Sequence, residues 1–277
     1  MDFLTSDGLK VFYEKRGKGF PCIYLHGGPG YWSKSFQYFS QELLEEELEM
    51  VYLDQRGCGR SEHSSGQDYS LSRLISDIEE LRKFLGFSEW YILGHSFGGI
   101  LAVNYAAQYP ERTKGVILTN ATLNMYESFH HQIQKGYEVL GVGRRQIIWD
   151  NLESFMELFY STLSKLIDKG EYFKFQYVDL ANKKITDEID MELNSDPNFQ
   201  RYIFTSEEFF LDFTSLTEKI NRPVLVIGGT HDHAVGPSHH KTFNFKNVII
   251  KTIKGSHHPY IENQKEFKEA VLNFTRL

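Results

Sequence analysis

The sequence predicts an α/β protein: a mostly parallel sheet with helices on both faces, interrupted once by a helical cap. Three observations carry this. Short apolar runs of strand length alternate with stretches of helical period up to residue 120, and again from 221 to 277. Residues 121–220 break that rhythm; they are rich in Phe, Tyr, Glu and Asp and hold no run that reads as a buried strand. Trp90–Leu93 runs into Gly94-His95-Ser96-Phe97-Gly98 and then into an Ala-rich segment reaching Pro110, which spells strand, sharp turn and helix. A core of 1–120 and 221–277 with a cap of 121–220 is therefore expected.

Taken in order, residues 2–6 and 10–16 alternate around Asp7-Gly8, a hairpin signal. Cys22–His26 is a short strand ending in His26-Gly27-Gly28-Pro29-Gly30, a tight loop with approachable backbone amides. Residues 33–47 read as helix and Glu49–Asp54 as strand, running into Gln55-Arg56-Gly57-Cys58-Gly59-Arg60-Ser61. Leu71–Leu85 carries apolar residues at helical period, with Gly86 as its C-cap. Lys114–Asn120 is another buried strand. Helical stretches are expected near 125–141, 145–167, 170–184 and 199–212. Asn221–Gly228 and Lys246–Lys251 resume the strands, and Glu262–Leu277 closes the chain as an amphipathic helix.

Composition narrows the function. The net charge is −7 with no block of Lys and Arg, which argues against nucleic acid as a partner. The two cysteines, Cys22 in a strand and Cys58 in a loop, are poorly placed for a disulfide and suit a reducing compartment. With no basic-then-apolar leader and no apolar run near the roughly 20 residues that span a bilayer, a cytoplasmic protein without a membrane segment is expected.

The chemistry centres on Ser96. A serine hydroxyl needs a base within reach, and the base needs an acceptor that fixes its tautomer. Asp232, beyond the strand ending at Gly228, is the acid candidate; Asp179 and Asp212 fall in the cap. His257 and His258 both follow the last strand and both remain open as the base. The amide of Phe97 and one from the first glycine loop, Gly28, are the expected oxyanion donors. His231-Asp232-His233 lacks a second spaced ligand group, so neither metal nor another cofactor is expected. Arg56 and Arg60 suit loop bracing better than anion binding, and His95 suits packing. On a helix over 199–212, Glu207 would have Ile203, Phe204, Phe210 and Leu211 as neighbours and Glu208 a wetter set. A carboxylate in the first setting calls for a cation, and a substrate ammonium would serve.

Gly94-His95-Ser96-Phe97-Gly98-Gly99 resembles the nucleophile elbow of the α/β-hydrolases, whose triads follow the chain order Ser, Asp, His. His26-Gly27-Gly28-Pro29-Gly30 and Asp54-Gln55-Arg56-Gly57-Cys58-Gly59-Arg60-Ser61 together resemble the proline iminopeptidase branch. Gly255-Ser256-His257-His258-Pro259-Tyr260-Ile261-Glu262 is similar to the His-x-Pro-x-x-Glu ending of these hydrolases and selects His257 over His258. The likeness covers about 20–120 and 220–277. It implies an α/β-hydrolase fold with an eight-stranded sheet, a helical cap inserted after the sixth strand, and metal-independent serine catalysis. It further implies release of N-terminal proline from short peptides, with cap glutamates holding the free amine. The Glu-Asn-His-Tyr-Phe cap stretch often found in that branch is missing; Ser206-Glu207-Glu208-Phe209-Phe210 is the nearest match. The expectation is a small, mostly apolar pocket using Ser96, Asp232 and His257, oxyanion donors Gly28 and Phe97, and cap contacts Glu207 and Glu208. A small-ester hydrolase (carboxylesterase or lactonase) is the alternative, and a non-catalytic small-molecule-binding scaffold is the alternative of another class.

Overall fold

A computed structural model describes residues 1–63, 66 and 68–277. The chain begins with β1 (Asp2–Leu4), β2 (Lys10–Gly17) and β3 (Phe20–Leu25), followed by α1 (Lys34–Leu44) and β4 (Leu48–Leu53). Next come α2 (Leu71–Phe84), β5 (Trp90–His95), α3 (Gly98–Gln108) and β6 (Thr113–Thr119). Four helices follow without a strand: α4 (Met125–Val139), α5 (Leu152–Asp168), α6 (Leu180–Ile189) and α7 (Pro197–Thr205). Then β7 (Val224–Gly229), β8 (Val248–Ile253), α8 (Pro259–Glu262) and α9 (Gln264–Thr275) complete the chain.

The strands form one eight-stranded sheet in the order β1-β2-β4-β3-β5-β6-β7-β8. Pairings from β4 through β8 are parallel, and β1–β2 and β2–β4 are antiparallel. Side chains alternate across the strands, so each of β3–β7 feeds two cores. Ile23, Val51, Ile92 and Val116 face α2, α3 and the cap. Tyr24, Met50, Leu93 and Leu225 face α1 and α9. Burial on both faces explains why the central strands read as continuous apolar runs.

The cap departs from expectation in three places, one of them 170–184, where a 3₁₀ turn (Tyr172–Phe175) and α6 from Leu180 stand in place of a single helix. Helix α5 starts at Leu152 rather than 145, because Asn151 and Ser154 form a reciprocal capping box there. The helix expected over 199–212 stops at Thr205; Ser206 is extended (φ −99°, ψ 118°) and Glu207–Phe210 is a short 3₁₀ turn. That break drives Phe209 and Phe210 into the core. Among the described residues no helix is long and apolar enough to cross a membrane.

Candidate active site

Ser96 sits between the end of β5 and the start of α3, with φ +55°. That left-handed conformation is unfavourable for a residue with a side chain and has to be imposed by its surroundings. The two flanking glycines let the chain close around it. A Cβ at Gly94 would lie 2.6 Å from the Gly98 carbonyl oxygen, and one at Gly98 would lie 2.1 Å from the Leu25 oxygen. Ser96 N–H donates to Thr119 O (3.3 Å) and Thr122 N–H donates to Ser96 O (3.1 Å), which pins the turn to the end of β6.

Asp232 follows β7 in a loop that folds around its own carboxylate. Its Oδ1 accepts the amides of Ala234 (2.9 Å) and Val235 (3.1 Å) and faces Nδ1 of His257 at 3.1 Å. Both side chains are buried. The His257 loop is held from three sides. His257 N–H donates to Gln176 O (3.1 Å), His95 Nε2 donates to His257 O (2.9 Å), and Glu262 accepts from Ser256 N–H. His258 lines the same cavity as His257, but its Nδ1 pairs with Tyr260 Oη at 2.8 Å. Ser96 and His257 line one cavity, with no direct hydrogen bond between them among the described residues. Such contacts are often loose before substrate binds.

Gly28 and Phe97 line the same cavity. Among the described residues neither amide has a hydrogen-bond acceptor. The glycine loop lies against the serine: a Cβ at Gly27 would fall 2.7 Å from Ser96 Cβ. Gly28 adopts φ +112°, a conformation that favours glycine. His26, fully buried, fixes this loop. Its Nδ1 donates to Gly27 O (2.9 Å), its Nε2 accepts from Gln55 N–H (3.0 Å), and Gln55 Nε2 donates to His26 O (2.9 Å). Burial pushes His26 down to about 4, so the ring is neutral and keeps this tautomer.

The two arginines brace loops. Arg56 is fully buried and forks onto Asp77 (Nε 2.6 Å, Nη2 2.8 Å) while also reaching Asp7 (2.9 Å). Arg60 donates through Nε to Asp54 (2.7 Å), which also accepts from the amide and hydroxyl of Ser33 (2.8 and 2.6 Å). Burial raises Asp54, and the Arg60 guanidinium more than offsets this, so the carboxyl ends below its usual range.

The cap contacts need correction. Glu207 lines the cavity and is exposed, not enclosed by apolar side chains. Glu208 is outside the cavity lining; its carboxylate accepts from Tyr202 Oη (3.0 Å) and the Leu71 amide (3.3 Å). The environments assigned from a continuous helix are thus reversed, because the break at Ser206 rotates both residues. The pocket is also not small: its volume is about 1350 Å³, above the roughly 300–1,000 Å³ of common ligand sites. Its apolar walls include Met125, Phe129, Met156 and Phe159. Cys22 and Cys58 are buried free thiols, and among the described residues no group of three His, Cys, Asp or Glu is placed to hold a metal.

Sequence reasoning passed over Asn120. It stands at the end of β6 with φ +43°, donates to Ser256 O (2.7 Å) and accepts from Gly229 N–H (2.6 Å). It thereby ties the loops carrying Asp232 and His257 together. An Asn just past a strand end, a residue tolerant of positive φ, was the available signal.

The family match covers residues 21–264 and carries the description alpha/beta hydrolase fold. The chain belongs to that family. A proline iminopeptidase of Saccharolobus solfataricus is 29% identical over 277 residues, covering 92% of this chain and 83% of that protein. A Neisseria gonorrhoeae proline iminopeptidase is 37% identical over 119 residues; the match spans 41% of this chain and 37% of that protein's length. The crystal structure of a proline iminopeptidase-related protein from Thermus thermophilus superposes with a TM-score of 0.80 at 21% identity, covering 99% of this chain and 97% of that one. At that identity the superposition speaks for the fold. The expected α/β-hydrolase architecture, with its eight-stranded sheet and inserted helical cap, is the one observed.

Proposed function

We propose that this chain is a serine hydrolase that works through an acyl-enzyme and releases N-terminal proline from short peptides. Ser96 attacks the carbonyl carbon, and His257 takes its proton and returns it to the leaving amine. Asp232 holds His257 by its Nδ1, and the amides of Gly28 and Phe97 receive the oxyanion. A water molecule, activated by the same histidine, then releases the acyl group. The observation that carries this reading is the strained Ser96 opening onto the same cavity as a His257 already paired with Asp232. The core is assigned to 1–120 and 221–277 and the cap to 121–220.

Proline as the released residue rests on the likeness to proline iminopeptidases. It also rests on Glu153, Glu157 and Glu207, which line the cavity and have no ion-pair partner among the described residues. A cationic amine suits that lining. The size and apolar walls of the cavity favour a second reading, hydrolysis of small esters. Comparing proline 4-nitroanilide with 4-nitrophenyl butyrate separates the two. The peptidase reading expects the anilide to have the larger kcat/KM, and expects Glu207→Gln to raise its KM about tenfold. Preference for the ester with an unchanged KM in the variant would replace it with the second reading.

A further inference from the structure

The cap is bonded into the loop that carries Gly28. Asp190, in the turn after α6, points its carboxylate at the residues immediately following the glycine loop. Its Oδ2 accepts from Tyr31 Oη (2.6 Å), and its Oδ1 accepts from Trp32 Nε1 (2.8 Å) and Ser35 Oγ (2.7 Å). No cation shares the carboxylate among the described residues; nearby Lys34 pairs with Glu192 instead. Ten residues on, Gln200 of α7 donates from Nε2 to Pro29 O (2.8 Å). Gly30 makes that approach feasible, since a Cβ there would sit 2.7 Å from Gln200 Cγ. Residues 29–35 are thus hydrogen-bonded to the cap at five points, Lys34–Glu192 included, while His26 and Gln55 hold the loop from the core side.

We propose that Asp190 is a positioning residue for hydrolysis: from the cap, through Tyr31 and Trp32, it sets where the Gly28 amide points. The inference rests on the reading of Gly28 as an oxyanion donor. An oxyanion donor displaced by a fraction of an ångström loses transition-state stabilisation more than ground-state binding. The cap along this edge is therefore part of the catalytic framework, and any opening movement has to leave α6, α7 and the glycine loop together.

The test is steady-state kinetics on whichever of proline 4-nitroanilide and 4-nitrophenyl butyrate the wild type turns over. Asp190→Ala is expected to lower kcat about tenfold with KM within twofold. Asp190→Asn, whose amide oxygen can still accept from Trp32 and Ser35, is expected to restore most of the loss. Tyr31→Phe removes one of the three donors and is expected to cost about threefold in kcat. In the double variant with Asp190→Ala it should add nothing. If Asp190→Ala does not fold, Tyr31→Phe decides alone. Unchanged kcat, or a change confined to KM or to thermal stability, overturns the proposal. A Ser96→Ala variant that keeps full activity overturns the underlying reading; a fully active Asp190→Ala beside an inactive Ser96→Ala overturns only the present inference.

Discussion

Gly27 tests the packing around Ser96 without touching any titratable group. Its side-chain position is occupied: a Cβ would meet Ser96 Cβ at 2.7 Å and Ser96 Oγ at 3.3 Å. Real Cβ atoms do not approach that closely, so either the serine or the glycine loop has to move. Gly27→Ala is expected to lower kcat/KM by about 100-fold, the scale of a misplacement near 1 Å. Stability should fall by only about 1–3 kcal/mol. Kinetics and urea unfolding on the same preparation check both halves; an active Gly27→Ala would mean the loop is free of the serine. At this scale much was readable in the sequence. Gly94, Gly98 and Asp232 stand out because strained turns and strand-end loops need particular residue types, whereas His257 is separated from His258 only by the family resemblance. Asp190 does not stand out, because an acid in a helical cap gives no sign of which distant donors it will meet.

Among elements, the loop after β4 shows how a buried charge fixes geometry. Arg56 makes four hydrogen bonds to Asp7 and Asp77, with its side chain fully shielded from water. Removing the guanidinium leaves the buried Asp77 carboxylate with Arg73 alone (2.8 Å), so the loss should fall below the roughly 3–5 kcal/mol of a buried charge left without any partner. Arg56→Met should show this as a lower urea midpoint with an unchanged slope; a shift under about 1 kcal/mol would mean the pair contributes little. The core strands were legible because burial on both faces makes them apolar throughout. Cap boundaries were less so. The run 199–212 keeps helical spacing through Ser206, yet packing of Phe209 and Phe210 against the core overrides the local pattern. The same override moved Glu208 out of the cavity, and it explains why sequence spacing misplaced the cap contacts.

For the molecule as a whole, buried histidines predict its acid sensitivity. His26 titrates at about 4 in the fold against an ordinary 6.5, and burial carries His95 and His258 well below 6.5. The unfolded chain therefore takes up protons first as pH falls through 6.5. Stability is full above that value and declines as pH drops, with the His26 contribution levelling off below about 4. Each such group adds a slope of up to about 1.4 kcal/mol per pH unit. Asp54, held below its usual range chiefly by Arg60 against the opposing effect of burial, adds a further loss as pH falls below 3.8. Urea midpoints measured from pH 7.5 to 4 should hold level down to about pH 6.5 and fall below it; a flat profile throughout would mean these rings are solvated.

Ser96 is the proposed nucleophile, and covalent labelling addresses that most directly. Incubation with a fluorophosphonate followed by peptide mass spectrometry should place one adduct on the peptide containing Ser96. The adduct should be lost in Ser96→Ala and form far more slowly in His257→Ala. An adduct on another residue, or none on a folded protein, would contradict the account.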